Sequence, residues 1–126
     1  MTRKNITAPS ASAIGPYSHA VEADGLIFLS GQTPIAPGTG QLIDGGIREQ
    51  TRQCFENLFA VLAAGSLSPD EVQKVNVFLT DMANFQAMNE IYQQQFSEPF
   101  PARTTIGVAS LPLGALVEIE MIAKRR

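Results

Sequence analysis

An arginine stands at the mouth of a stiff segment in this sequence. Pro99-Phe100-Pro101 brackets a phenylalanine with two prolines, each fixing φ and donating no backbone hydrogen bond, so the segment is rigid and cannot continue a helix. Arg103 follows, leading into Thr104-Thr105-Ile106-Gly107-Val108-Ala109. A guanidinium delivered at a strand entrance suits a planar carboxylate, which it grips through two parallel hydrogen bonds. The alternative is an arginine solvated in an exposed loop. The second chemical signal is Glu118-Ile119-Glu120. In an extended strand the two acids share a face about 7 Å apart, beside Ile122. An open, solvated sheet face is one account of them; a carboxylate that binds and orients water is the other. Together, an arginine, a carboxylate and nearby hydroxyls can hold a small carboxylate and position a water. Such a set cannot do redox or radical chemistry unaided. Hydrolysis of an imine, with its low intrinsic barrier, fits it.

Other chemistries find no support. Cys54 is the one cysteine, which rules out an intramolecular disulfide and argues against a thiolate metal site. It falls on or beside the apolar stripe of a helix, where it reads as a core filler. His19 is the one histidine and lacks partners for a metal. A Ser30–His19–acid triad has no nucleophile elbow to present the serine. Gly38-x-Gly40 lacks the strand-to-helix setting and the lysine of a phosphate cradle. The glutamate pair comes without tryptophan or a long cleft for sugars. A net charge of −3 argues against an electrostatic grip on nucleic acid, and the basic run Lys124-Arg125-Arg126 is short enough to be simply solvated.

The elements that must position these residues follow from periodicity and punctuation. Residues 1–16 read as irregular, with the small polar run Ser10-Ala11-Ser12-Ala13 and a turn at Ile14-Gly15-Pro16. Tyr17–Glu22 fits a strand, Ala23-Asp24-Gly25 a hairpin turn, and Leu26–Leu29 an apolar strand buried on both faces or lying mid-sheet, ending in Ser30-Gly31-Gln32. The glycine there allows a close approach to the backbone. Residues 33–46 form a long loop. Residues 47–64 carry Ile47, Thr51, Cys54, Phe55, Leu58 and Leu62 at helical spacing, with Asp44 the candidate N-cap and Gly65 the stop. Ser68-Pro69-Asp70-Glu71 is a capped turn. Residues 72–80 form a strand with Val75, Val77 and Leu79 on one face and Lys74, Asn76, Phe78 and Thr80 on the other. Residues 84–96 form a helix, with Phe85, Met88, Tyr92 and Phe96 on one side and Asn84 or Asp81 as cap; Asn89 sits beside that face. Strands at 103–109 and 115–123 complete the chain.

The order strand-strand-helix-strand-helix-strand-strand is an α+β layer, one sheet covered on one face by two helices. At 126 residues, 44% hydrophobic and 17% charged, the chain reads as a single globular domain, 1–126. The uncovered sheet face, with Phe78 and Ile122, is expected to join a symmetric oligomer. No apolar signal core and no 18-residue apolar run occurs, so a cytoplasmic protein without cofactor is the default.

The residues also match a known pattern nearly end to end. Ile14-Gly15-Pro16-Tyr17-Ser18, Ser30-Gly31-Gln32, Val77-Phe78-Leu79-Thr80-Asp81-Met82, Asn89-x-x-Tyr92, Pro101-Ala102-Arg103, Leu111-Pro112 and Val117-Glu118-Ile119-Glu120 occur in the same order in the Rid family (YjgF/YER057c/UK114), and the chain resembles most closely its arginine-containing enamine/imine deaminases. The resemblance implies a chorismate-mutase-like fold and a homotrimer whose sheets meet in a central barrel, with clefts at the subunit interfaces. It implies hydrolysis of 2-aminoacrylate and 2-iminopropionate class acids to 2-oxo acids and ammonia, with no cofactor, metal, membrane or nucleic-acid partner. Such reactive acids leak from pyridoxal-phosphate dehydratases. By the same resemblance Arg103 binds the substrate carboxylate, Glu118 orients the attacking water, Tyr17, Ser30 and Asn89 shape the pocket, and Gly31 lets the ligand lie near the backbone. Glu120 is the less certain acid. Thr105 stands where many relatives have cysteine; it keeps the backbone groups that bind ligand and adds a hydroxyl. Two alternatives remain: a trimer that binds small carboxylates as a regulator without turnover, and an endoribonuclease or translation inhibitor, labels that family members have carried.

Overall fold

Six strands and two helices form among the described residues, 3–9 and 15–126, of the computed structural model. They are β1 (Lys4–Ile6), β2 (Ala20–Ala23), β3 (Leu26–Gln32), α1 (Ile47–Ala64), β4 (Val72–Leu79), α2 (Phe85–Gln93), β5 (Ala102–Gly107) and β6 (Val117–Lys124). One sheet has the order β1-β2-β3-β6-β4-β5. Every neighbouring pair is antiparallel except β4 and β5, which run parallel and are joined through α2. This is the expected α+β layer, with one extra strand at its start.

One-sided burial explains the alternation along the central strands. On β4, Val75, Val77 and Leu79 are buried, and on β6 so are Val117, Ile119, Met121 and Ala123. They meet Cys54, Phe55, Leu58, Val61 and Leu62 of α1 and Met88 and Tyr92 of α2. At the centre Phe55, Phe59, Tyr92 and Phe96 stack tilted or edge-on, with ring centroids 5.4–6.0 Å apart. Of the two readings of Leu26–Leu29, the mid-sheet one holds, with β3 between β2 and β6. Ile27 and Leu29 are buried, while Leu26 and Phe28 stay 37% and 42% exposed, because helices cover only one side of the sheet.

Several boundaries move for local reasons. Residues 4–6, expected to be irregular, pair with β2 through Lys4↔Glu22 and Ile6↔Ala20; three residues carry no alternation of their own, and β2 supplies the order. The strand expected from Tyr17 begins only at Ala20, because the Tyr17 N–H turns back to donate to the Gly15 carbonyl. Ile14 and the run 10–13 lie outside the described residues. The hairpin forms as read, with Asp24 and Gly25 at φ 52° and 80°. Helix α1 is capped by Gly46 rather than Asp44: Gly46 is extended, and its N–H donates to Glu49 Oε1 at 2.8 Å. Asp81 caps a short turn, Met82–Asn84, ahead of α2, and that helix stops at Gln93, though Phe96 still packs on the core. Strands β5 and β6 run 102–107 and 117–124 rather than 103–109 and 115–123.

Side chains of α1 tie the rest down. Gln50 Oε1 accepts from the Leu116 N–H at 2.8 Å, just before β6. Asn57 Nδ2 donates to the carbonyls of Thr33 and Ile35 at 3.2 and 3.0 Å, fixing the long loop. Arg125 grips Glu22 through two hydrogen bonds and also donates to the Gly65 carbonyl, so the end of β6, β2 and the end of α1 are joined at one point.

Phe55 is fully buried in the aromatic cluster. Phe55→Ala is expected to lower unfolding stability by about 3–5 kcal/mol, read from urea denaturation monitored by circular dichroism.

Candidate functional site

Arg103 lies on β5 in register with Val75, a core residue, so its side chain turns toward the helices. There it is held from two directions. Asn89 Oδ1 of α2 accepts a hydrogen bond from Arg103 Nη1 at 2.5 Å. The guanidinium carbon sits 4.6 Å from the Tyr92 ring centre and 5.5 Å from that of Phe85. Cation–π contacts of this kind are worth about 0.5–2 kcal/mol. Among the described residues its Nε and Nη2 donate to nothing. The guanidinium is therefore seated but has donors to spare, in a cleft of about 400 Å³ walled by Phe100 and Pro101 of the stiff segment. Burial raises the Tyr92 hydroxyl above its ordinary pKa, and Arg103 acts in the opposite sense. Thr105, in register with Val77, points to the same side; its Oγ1 and the Tyr92 Oη are both buried without a partner among the described residues.

Glu118 and Glu120 project from the other face of the sheet. Their cross-strand partners on β4 are Phe78 and Asn76, which turn away from the core. With Tyr17, Ser30 and Gly31 they line a cavity of about 640 Å³. The Ser30 hydroxyl donates to the Ser18 carbonyl at 2.6 Å, which fixes the chain just after Tyr17. Gly31 brings the backbone close to this acid: a Cβ there would stand 2.5 Å from Glu118 Oε2 and 3.1 Å from its Cδ, so a larger residue would displace the carboxylate. Burial first, and the charge of Glu120 second, push the Glu118 carboxyl above its usual pKa. Asn76 Nδ2 donates to Glu120 Oε2 at 3.0 Å.

The predicted residues thus fall into two groups. Tyr17, Ser30, Gly31 and Glu118 come together, with Glu120 beside them. Arg103 and Asn89 come together elsewhere, with Thr105 on their side of the sheet. Within one chain the sheet separates Arg103 from Glu118. The sequence reading missed the seat beneath Arg103: Phe85 and Tyr92 were read only as an apolar helix face, although their seven-residue spacing puts them on one side of α2. It also missed Asn76 as a partner of Glu120, a contact that needs the β4–β6 register.

An α+β protein with an arginine cleft on one side of its sheet and an acid cavity on the other has known counterparts. The family model described as Endoribonuclease L-PSP matches residues 6–125. The chain belongs to this family, which includes the YjgF and Rid proteins. Among relatives, the human 2-iminobutanoate/2-iminopropanoate deaminase is 44% identical over 93% of this chain and 85% of its own length. Among solved structures, the Rid family protein YyfA of Yersinia pestis superposes with a TM-score of 0.93 at 44% identity, covering 98% of this chain and 99% of that one. TdcF of E. coli, solved with bound serine, superposes at 0.91 with 38% identity and the same coverage. Among the described residues no helix is long and apolar enough to cross a membrane.

Cys54 has no exposed surface, and burial, helped by the Glu118 charge, pushes its thiol well above the ordinary value. Folded protein is expected to resist iodoacetamide at neutral pH, and denatured protein to be labelled at once; mass spectrometry reads both.

Proposed function

We propose that the protein hydrolyses reactive 2-enamine and 2-imine acids of the 2-aminoacrylate/2-iminopropionate class to 2-oxo acids and ammonia. The observation that carries this reading is the seated guanidinium of Arg103 with unused donors, a ready receptor for the substrate carboxylate. The activity named for the human relative supports it.

Glu118 supplies the second function. As the carboxylate it takes a proton from water while the water oxygen adds to the protonated imine carbon. The same proton then passes to the nitrogen of the tetrahedral adduct, and as the C–N bond breaks Glu118 takes the proton of the adduct's hydroxyl, so that ammonia leaves as the 2-oxo acid forms. A carboxyl whose pKa is raised toward the working pH suits both transfers. An enamine enters the same route after protonation at its methylene carbon. Ser30, Gly31 and Tyr17 shape the wall beside Glu118, and the Thr105 backbone lies beyond Arg103 on the same strand.

Because the sheet keeps Arg103 from Glu118 in one chain, the working site is formed between chains: one protomer gives the arginine cleft and its neighbour the acid cavity. The open sheet face, with Phe28 and Ile106 exposed, is the surface on which copies associate as a homotrimer.

Three measurements test this. With 2-iminopropionate generated from alanine by an amino-acid oxidase and the residue trapped, wild type is expected to speed its loss. Arg103→Ala is expected to reduce kcat/KM by about 10²–10⁴-fold, two charge-assisted bonds being lost. Glu118→Gln is expected to reduce kcat by about 10²–10⁴-fold. Subunits of the two inactive variants, mixed under exchange conditions, are expected to recover activity, since a mixed oligomer contains clefts with both groups intact. No acceleration by wild type sinks the deaminase reading; no recovery on mixing sinks the interface reading. The serine held by TdcF favours a second reading, a small-carboxylate binder without turnover; saturable binding with no hydrolysis across a panel of imines selects it. A net charge of −3 weighs against RNA despite the family's description.

A further inference from the structure

Two carboxylates on one strand face, two residues apart, hold one proton between them over the range where the first is taken up. Which of them holds it decides whether Glu118 is a base or an acid. Neither the sequence pattern nor the relatives' names address this, and the contacts around the pair are unequal. Glu120 accepts a hydrogen bond from Asn76 Nδ2 at 3.0 Å, a donor that stabilises the ionised form. Glu118 has Phe78 as its partner on β4, which offers no donor, and its carboxylate packs against the bare backbone of Gly31.

We propose that Asn76 and Glu120 act as a positioning pair: Asn76 anchors the Glu120 carboxylate beside Glu118, and the charge held there directs the site's proton to Glu118. The inference rests on Glu118 being the water-orienting group, and it names what makes that glutamate, rather than its neighbour, the group that exchanges the proton.

Charged and titratable groups on the surrounding elements leave the assignment to this pair. On β4, Lys74 projects to the same face, but its Nζ donates to Thr104 Oγ1 of β5 at 2.9 Å. Residues 30–32 of β3 carry no ionisable side chain. Tyr17 is the remaining titratable group in the cavity wall. Cys54 lies behind the sheet with a thiol that burial keeps protonated. Arg103 and Tyr92 stand on the helix side.

The signs follow directly. A fixed negative neighbour raises the proton affinity of Glu118, so removing it lowers that affinity. Removing the Asn76 donor frees the Glu120 carboxylate to swing away from Glu118, which weakens its influence and lowers the affinity of Glu118 in the same direction.

The test is a carbon NMR titration of protein labelled at the glutamate side-chain carboxyl, with the Glu118 resonance assigned by its loss in Glu118→Gln. In Glu120→Gln the Glu118 midpoint is expected to fall by roughly 0.5–1.5 pH units. In Asn76→Leu it is expected to fall by less, and adding Asn76→Leu to Glu120→Gln is expected to give no further fall. An unmoved Glu118 midpoint in Glu120→Gln overturns the proposal. Glu120→Gln is isosteric, so the decision stands even if Asn76→Leu fails to fold. The titration needs no turnover and is separate from the deaminase reading. The acid limb of kcat/KM is expected to move with the midpoint in each variant. A midpoint that moves while the limb does not supports the proton assignment and counts against Glu118 as the water-orienting group.

Discussion

Strand β6 pairs on both sides, with β3 and with β4, and its alternation is the constraint on which both halves of the site depend. Val117, Ile119, Met121 and Ala123 fill the core; Glu118, Glu120 and Ile122 take the other side. A slip of one residue would send two acids into the apolar layer and the core residues out. The register is held where it begins: Gln50 receives the Leu116 N–H, and the Cys54 thiol lies 3.8 Å from the Val117 carbonyl. A helix side chain therefore helps to fix which face Glu118 occupies, through the backbone two residues before it.

The sheet also acts as a partition. Arg103 and Glu118 are of opposite charge, and side by side in one chain they would pair and neutralise each other. Instead the arginine rests on aromatic faces and an uncharged amide, and the glutamate rests on glycine backbone. Among the described residues neither has an ion-pair partner, and each half is left ready for a ligand.

Much of this was legible because burial is one-sided. Val75, Val77 and Leu79 announce their strand and its inner face, and Gly65 marks the end of α1, whose start falls at Gly46 rather than at Asp44. What stayed hidden depends on pairing between distant segments. Lys4–Ile6 has no pattern until β2 lies beside it. The side of the sheet that Arg103 faces follows from the parallel register with β4, and the Asn76–Glu120 contact from the antiparallel register with β6. Whether Leu26–Leu29 would be buried on both faces or only lie mid-sheet stayed open, because composition cannot count layers. Asn89 matched a family position, but its grip on Arg103 needed α2 to be laid across β5.

The central place of β6 has a consequence for how the molecule is made. The strand occupies residues 117–124, yet it lies between β3 and β4, which are not hydrogen-bonded to each other. As the chain leaves the ribosome, β1 to β3 and the β4–α2–β5 unit can each gather locally, with α1 packing on both, but no strand hydrogen bonds join the two parts of the sheet. They wait with a gap between them until β6, which follows both in the chain, emerges and fills it. Such long-range closure is slow to form and leaves apolar strand borders uncovered in the meantime. The nascent protein is therefore vulnerable until β6 has emerged, and the Arg125 clasp onto Glu22 and Gly65 can form only after it.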